Sequence, residues 1–221
     1  MIRRPTLLLV LLSLACGDRA PNPDAAAQAS LDSLALDSLD EEADAEPVLP
    51  PMPDHPAARA GQLTVRAVGA FELDRGWPAR AGRCVRPAMV LVLAEEPGSG
   101  ASILLQLPTA GDLTGSYPVK LADSTGMPAG PASQLGFQFF EANTPDAYQA
   151  AEGDVEVREL TDRRVSGLFA VTVRHVVTNQ TARVAGSFQQ VDVEPLPPDW
   201  CARAAAAQDS LAAADSAAGR S

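Results

Sequence analysis

Two histidines, three cysteines and a few paired carboxylates are the residues of this 221-residue chain whose types invite acid–base, nucleophilic or metal chemistry. His55 sits in VLPPMPDHP, where nothing fixes a side chain in place. A Ser-His-Asp arrangement would therefore have to use His175, near the end of an apolar alternating run. No GxSxG elbow supplies its nucleophile. His175 reads first as a strand-end or capping residue, with a hydrolase using His175 as the alternative. Asp154 and Glu156 fall on one strand face, roughly 6–7 Å apart, a spacing that glycosidase chemistry tolerates. They alternate with Val155 and Val157, however, which is the pattern of an ordinary solvated face. Glu95-Glu96 precedes the turn former Pro97-Gly98. No CxxC, HxxxH or DxDxDG spacing and no phosphate-cradling glycine loop occurs. The expectation is no cofactor, no metal and no enzyme activity.

The positive charge points elsewhere. Lys120 is the only lysine among 17 bases, so arginine dominates. Arg75, Arg80, Arg83 and Arg86 gather around Trp77-Pro78, in what reads as a loop between the first two strands. Arg with Trp is the composition of an interface anchor, and the arginines suit an anionic partner. The plainer alternative has Trp77 packing under that loop. The chain as a whole has 28 acids and a formal charge of −11, which excludes nonspecific nucleic-acid binding as a default.

The elements that must position these groups are strands. Hydrophobic residues are 46% of the chain but aromatics only 5%, so Val, Leu and Ala build the core. With 16 Gly and 19 Pro, a long-helix bundle is excluded. Short apolar or alternating runs predict strands over 63–73, 88–94, 101–107, 116–121, 135–141, 154–160, 164–176 and 182–194. Turn formers separate them: Pro97-Gly98-Ser99-Gly100, Gly111-Asp112, Ser124-Thr125-Gly126, Asn143-Thr144-Pro145 and Thr178-Asn179-Gln180. Residues 145–150 read as one helical turn with Pro145 at its first position. The fold class is all-β, an antiparallel sandwich or small barrel of about eight strands.

The last two strands are the clearest. Val165, Phe169, Val171 and Val173 share a face that Gly167 interrupts, as at a bend or close contact. Val184, Gly186 and Phe188 share another, and the apolar phase changes after Gln189-Gln190, which predicts a β-bulge. A tight loop at Asn179-Gln180 would set Val171 opposite Phe188. These residues, V-x-G-x-F followed by V-x-G-x-F-x-x-V, resemble the ending of certain small β-rich bacterial lipoproteins, described as sandwiches or calycin-like barrels. The resemblance covers about 40 residues and bears on fold.

Outside the domain the chain carries an address. Residues 1–16, MIRRPTLLLVLLSLAC, combine Arg3-Arg4 with a nine-residue apolar stretch, too short to span a bilayer. No apolar run of about 20 residues occurs further along. The segment resembles a bacterial lipoprotein signal, with Ser13 at −3 where that family usually has Leu. The resemblance implies a signal peptide over 1–15, a lipidated Cys16 as mature N-terminus and, through Gly17, export to the outer membrane. Ordinary cleavage after Ala15 is the alternative. With Cys16 acylated, Cys84 and Cys201 remain as an even pair in an oxidising compartment, expected as a disulfide unless both stay free thiols.

Residues 16–61 read as a disordered acidic, Pro-rich tether, 62–201 as the β-rich domain and 202–221 as an Ala-rich, low-complexity tail. Within the tether, Leu31, Leu34 and Leu39 near helical spacing suggest a transient helix. The expected function is a membrane-anchored, non-catalytic binding module. Its partner would be an envelope protein, a glycan or a small apolar ligand, the last in the manner of a lipocalin.

Overall fold

A computed structural model describes residues 49–120, 130–141 and 144–207, all within the second of two units into which the chain divides, Ala45–Ser221. The signal segment, Cys16, the leucine-bearing tether, the Ser124-Thr125-Gly126 turn and residues 208–221 lie outside the described residues.

Among the described residues nine strands form the body: β1 (Gln62–Gly69), β2 (Leu73–Cys84), β3 (Met89–Glu96), β4 (Ser99–Gln106), β5 (Gly115–Pro118), β6 (Ala132–Glu141), β7 (Thr144–Leu160), β8 (Arg164–His175) and β9 (Thr181–Pro195). They run in the order β5-β7-β6-β4-β3-β2-β1-β9-β8, and a further β7–β8 pairing closes eight of them into an antiparallel barrel. The fold is a barrel and not a sandwich. β5 is the ninth strand. It pairs with β7 at Gly115↔Val157 through Pro118↔Asp154, along the edge whose other half β6 occupies from Gly136↔Gln149 to Glu141↔Thr144. Full closure leaves no long sheet edge to aggregate.

The inward faces carry the core. Leu63, Val65, Val90, Val92, Ile103, Leu105, Val155, Phe169, Val171, Val184 and Phe188 are fully buried. Each such side chain contributes about 1.5–3 kcal/mol on leaving water. Outward positions such as Arg66, Arg80, Gln134, Gln138 and Arg174 are polar. Apolar inside and polar outside is the reverse of a membrane-spanning barrel.

Two segments depart from expectation. Leu73–Cys84 is a strand, although Gly76, Pro78 and Gly82 gave it the look of a loop. Pro78 sits opposite Gln62, at the end of β1, where losing one donor costs little. Residues 145–150 are the start of β7 and not a helical turn. There Tyr148 and Ala150 point inward in strict alternation, and pairing with β6 overrides the local signal of Pro145.

Both ends of the domain are tied to its wall. The Pro56 carbonyl accepts hydrogen bonds from the hydroxyls of Thr64, at 3.2 Å, and Ser187. At the other end a helix, α1 (198–207), follows β9. Its first turn is closed by the Pro197 carbonyl, which accepts from the amides of Trp200 and Cys201. Pro198 at the first helical position has no amide to leave unpaired. Leu196 packs where a Cβ on Gly82 would lie. Cys201 is bonded to Cys84, with Cα atoms 5.7 Å apart, as expected for this pair.

Candidate functional site

The four hairpin tips at one end of the barrel are β1–β2, β3–β4, β6–β7 and β8–β9. The first three line a cleft of about 460 Å³, with Phe71, Glu72, Arg75, Phe139, Phe140, Asp146 and Tyr148 among its residues. Sheet register builds its rim. Glu96 faces Ser99, Ser99 faces Phe139 and Phe139 faces Asp146, one row across β3, β4, β6 and β7.

The rim is aromatic in a chain with only six Phe, two Trp and two Tyr. Ring centroids of Phe71 lie 4.4 Å from Tyr148 and 5.2 Å from Phe139. Trp77, fully buried, lies 6.4 Å from Phe139. Its indole N–H donates to the Ser99 hydroxyl at 3.2 Å. Phe140 is 53% exposed. An adjoining groove of about 430 Å³ runs over the outer wall, where Gly98, Gly100, Ser102 and Gly136 leave room beside Phe140.

The arginine cluster is divided by being a strand. Arg75 lines the cleft, and Trp77 lies fully buried in the core behind it, against Phe139. Arg75 donates to Glu96 at 2.9 Å. Arg80 lies further down the outer wall, paired with Glu95, and Arg83 bonds Asp162 near the opposite end. Arg86 stands exposed in the β2–β3 turn, where its peptide bond to Pro87 is cis. These pairs are solvent-exposed on at least one side and contribute roughly 0–1 kcal/mol each. The five residues form no single patch, and Trp77 offers no surface.

His175 is a turn cap. Its Nδ1 accepts the amide N–H of Val177 at 3.2 Å and of Thr178 at 3.0 Å. An acceptor Nδ1 places the ring proton on Nε2, which lies 3.5 Å from an Asp146 carboxylate oxygen. The ring meets Tyr148 edge-on at 4.9 Å. Its one lone pair is thus taken by backbone. The same cap centres the β8–β9 loop on Val177-Thr178 and not on Asn179-Gln180. Phe188 therefore faces Gly167, and Val171 faces Val184, correcting the register expected from sequence. The expected bulge is present: Gln189 and Gln190 lie between partners of Val165 and Gly167, and the Gln190 amide donates to the Ser166 hydroxyl at 2.9 Å.

The remaining candidate carboxylates are bound as surface groups, Asp154 to the Ser116 hydroxyl and Glu156 to Arg158. Among the described residues no cluster of three or more His, Cys, Asp or Glu could hold a metal ion. Sequence reasoning missed Phe71, Phe139, Phe140, Tyr148 and Asp146. The signal was the convergence of scarce aromatics, above all the Phe137-Gln138-Phe139-Phe140 run. Compared with protein-family models, curated proteins and solved structures, the chain matches none.

Proposed function

We propose that this chain is an outer-membrane envelope lipoprotein whose barrel is a non-catalytic binding module, taking a small ligand in its aromatic mouth. One observation carries the binding reading: half of a scarce aromatic complement is gathered at one end, with Phe140 left half in water beside a cleft. A ligand that covers such surface gains about 25 cal/mol per Å² of apolar area. The barrel interior is occupied by its own core, so a lipocalin-like ligand would sit at the mouth and not in a deep calyx. The engagement of both His175 nitrogens supports a role without catalysis. The signal resembling a lipobox supports anchorage through Cys16.

A neutral apolar fluorophore, N-phenyl-1-naphthylamine, tests the binding half. The folded protein is expected to enhance its emission, and Phe140→Ala to weaken the effect several-fold. Equal emission with both proteins would refute the mouth as the site. Intact-mass measurement of protein from a membrane fraction tests the anchor, which an unmodified amino terminus would exclude.

A further inference from the structure

We infer that the mouth selects a hydrophobic cation, an amine or quaternary ammonium carrying an apolar or aromatic group. This rests on the binding reading above and adds the ligand's charge. Three of the residues lining the cleft are charged: Glu72, Arg75 and Asp146. The Arg75 guanidinium is already matched by Glu96 at 2.9 Å. Asp146 faces the Nε2 of His175 at 3.5 Å, from the ring nitrogen that carries the proton of a neutral imidazole. The carboxylates of Glu72 and Asp146 are thus left without a full opposing charge. The row Glu96, Ser99, Phe139, Asp146 sets one of them directly beside an aromatic ring.

Phenyl faces add to this field, because the face of an aromatic ring is its negative pole. Phe71, Phe139 and Phe140 surround the cleft and carry no competing donor. A cation entering there meets ring faces and two carboxylates at once, partly removed from water, where charge attraction is stronger than in bulk. An anionic amphiphile would meet the same carboxylates as repulsion. The chain's formal charge of −11 steers encounter in the same direction.

The test titrates the protein, held in detergent, with benzyltrimethylammonium, benzyl alcohol and benzoate, following backbone amide shifts at 70–75, 96–99 and 144–148 by NMR. The cation is expected to bind roughly tenfold more tightly than the alcohol, and benzoate most weakly. Glu72→Gln with Asp146→Asn should bring the cation-to-alcohol ratio close to one. Glu72→Gln alone, at an exposed position, should lower that ratio part of the way and guards against loss of fold in the double variant. Alcohol binding as tight as the cation, or a ratio unmoved in both variants, overturns the cation preference and leaves the binding reading standing. No shift at these amides with any of the three probes overturns both.

Discussion

Phe188 lies directly across the β8–β9 ladder from Gly167, its ring edge filling the space that a Cβ there would need. The relation is reciprocal, since Phe169 lies opposite Gly186 in the same way. Each strand supplies one glycine and, two residues on, one phenylalanine. Antiparallel pairing then seats each ring on the other strand's bare backbone. This explains the repeated V-x-G-x-F pattern as one packing device. Gly167→Ala and Gly186→Ala are each expected to destabilise at or above the usual 1–3 kcal/mol for overpacking, because backbone carbonyls of Glu156 and Thr64 also crowd those sites. Urea midpoints would show it. Adding Phe169→Leu to Gly186→Ala should recover only part of the loss, since the Thr64 carbonyl stays. Wild-type midpoints in the single alanine variants would dismiss the account.

The Cys84–Cys201 bond closes a span of 117 residues. Loop-closure entropy assigns such a crosslink about 5 kcal/mol as an upper value. It also holds α1, too short to be stable alone in water, against the barrel. Reduction, or Cys84→Ser with Cys201→Ser, should lower the guanidinium midpoint. Amide exchange across 198–207 should rise before that of β8 or β9. Unchanged exchange in the helix would mean that Leu196 and its neighbours suffice to hold the segment.

Strand content was legible in short, continuously apolar runs such as 88–94 and where apolar residues recur at every second position, as over 164–176, because side chains on a strand have a period of two. β2 was hidden because its inward positions are Trp77 followed by the small Ala79 and Ala81, with a proline and two glycines between and around them. The first half of β7 was hidden by Pro145. Closure was not legible, since it depends on β7 meeting β8 along nearly its whole length. The disulfide followed from cysteine arithmetic. The mouth did not, because Phe71, Phe139 and Tyr148 come from three separate strands or tips that only register brings together. The β8–β9 register was misjudged because a side-chain cap, not the turn-forming Asn179, centres the loop.

Tyr117, 2% exposed, donates its phenol O–H to the Leu113 carbonyl at 2.7 Å. Burial, reinforced by the negative charge of Asp112, raises its pKa above the ordinary tyrosine value. A group with a raised pKa in the fold binds its proton more tightly there than in the unfolded chain. Its contribution to stability is therefore complete below about pH 10 and is lost as pH rises through the folded value. Spectrophotometric titration of tyrosinate should show the Tyr117 phenol ionising late, together with unfolding at high pH. Tyr117→Phe should abolish that late step. Ionisation of the Tyr117 phenol in the ordinary tyrosine range would contradict the burial argument.

His175 gives the sharpest contrast between a structural and a chemical role. Its Nδ1 terminates the amides of Val177 and Thr178, which no other acceptor serves in the described loop. Both residues are exposed, so water replaces a lost acceptor and the cost is the net value of a hydrogen bond, roughly 0.5–1.5 kcal/mol. His175→Ala should thus destabilise by about that amount and speed amide exchange at 177 and 178 specifically. His175→Asn keeps an acceptor on a shorter stem and should recover part of the loss. A base in catalysis would show the opposite profile, with activity abolished and loop exchange unmoved. Because the lone pair that a base would need is the one holding the turn, the two roles compete for a single atom. The exchange rates of those two amides therefore decide between them without knowledge of any substrate.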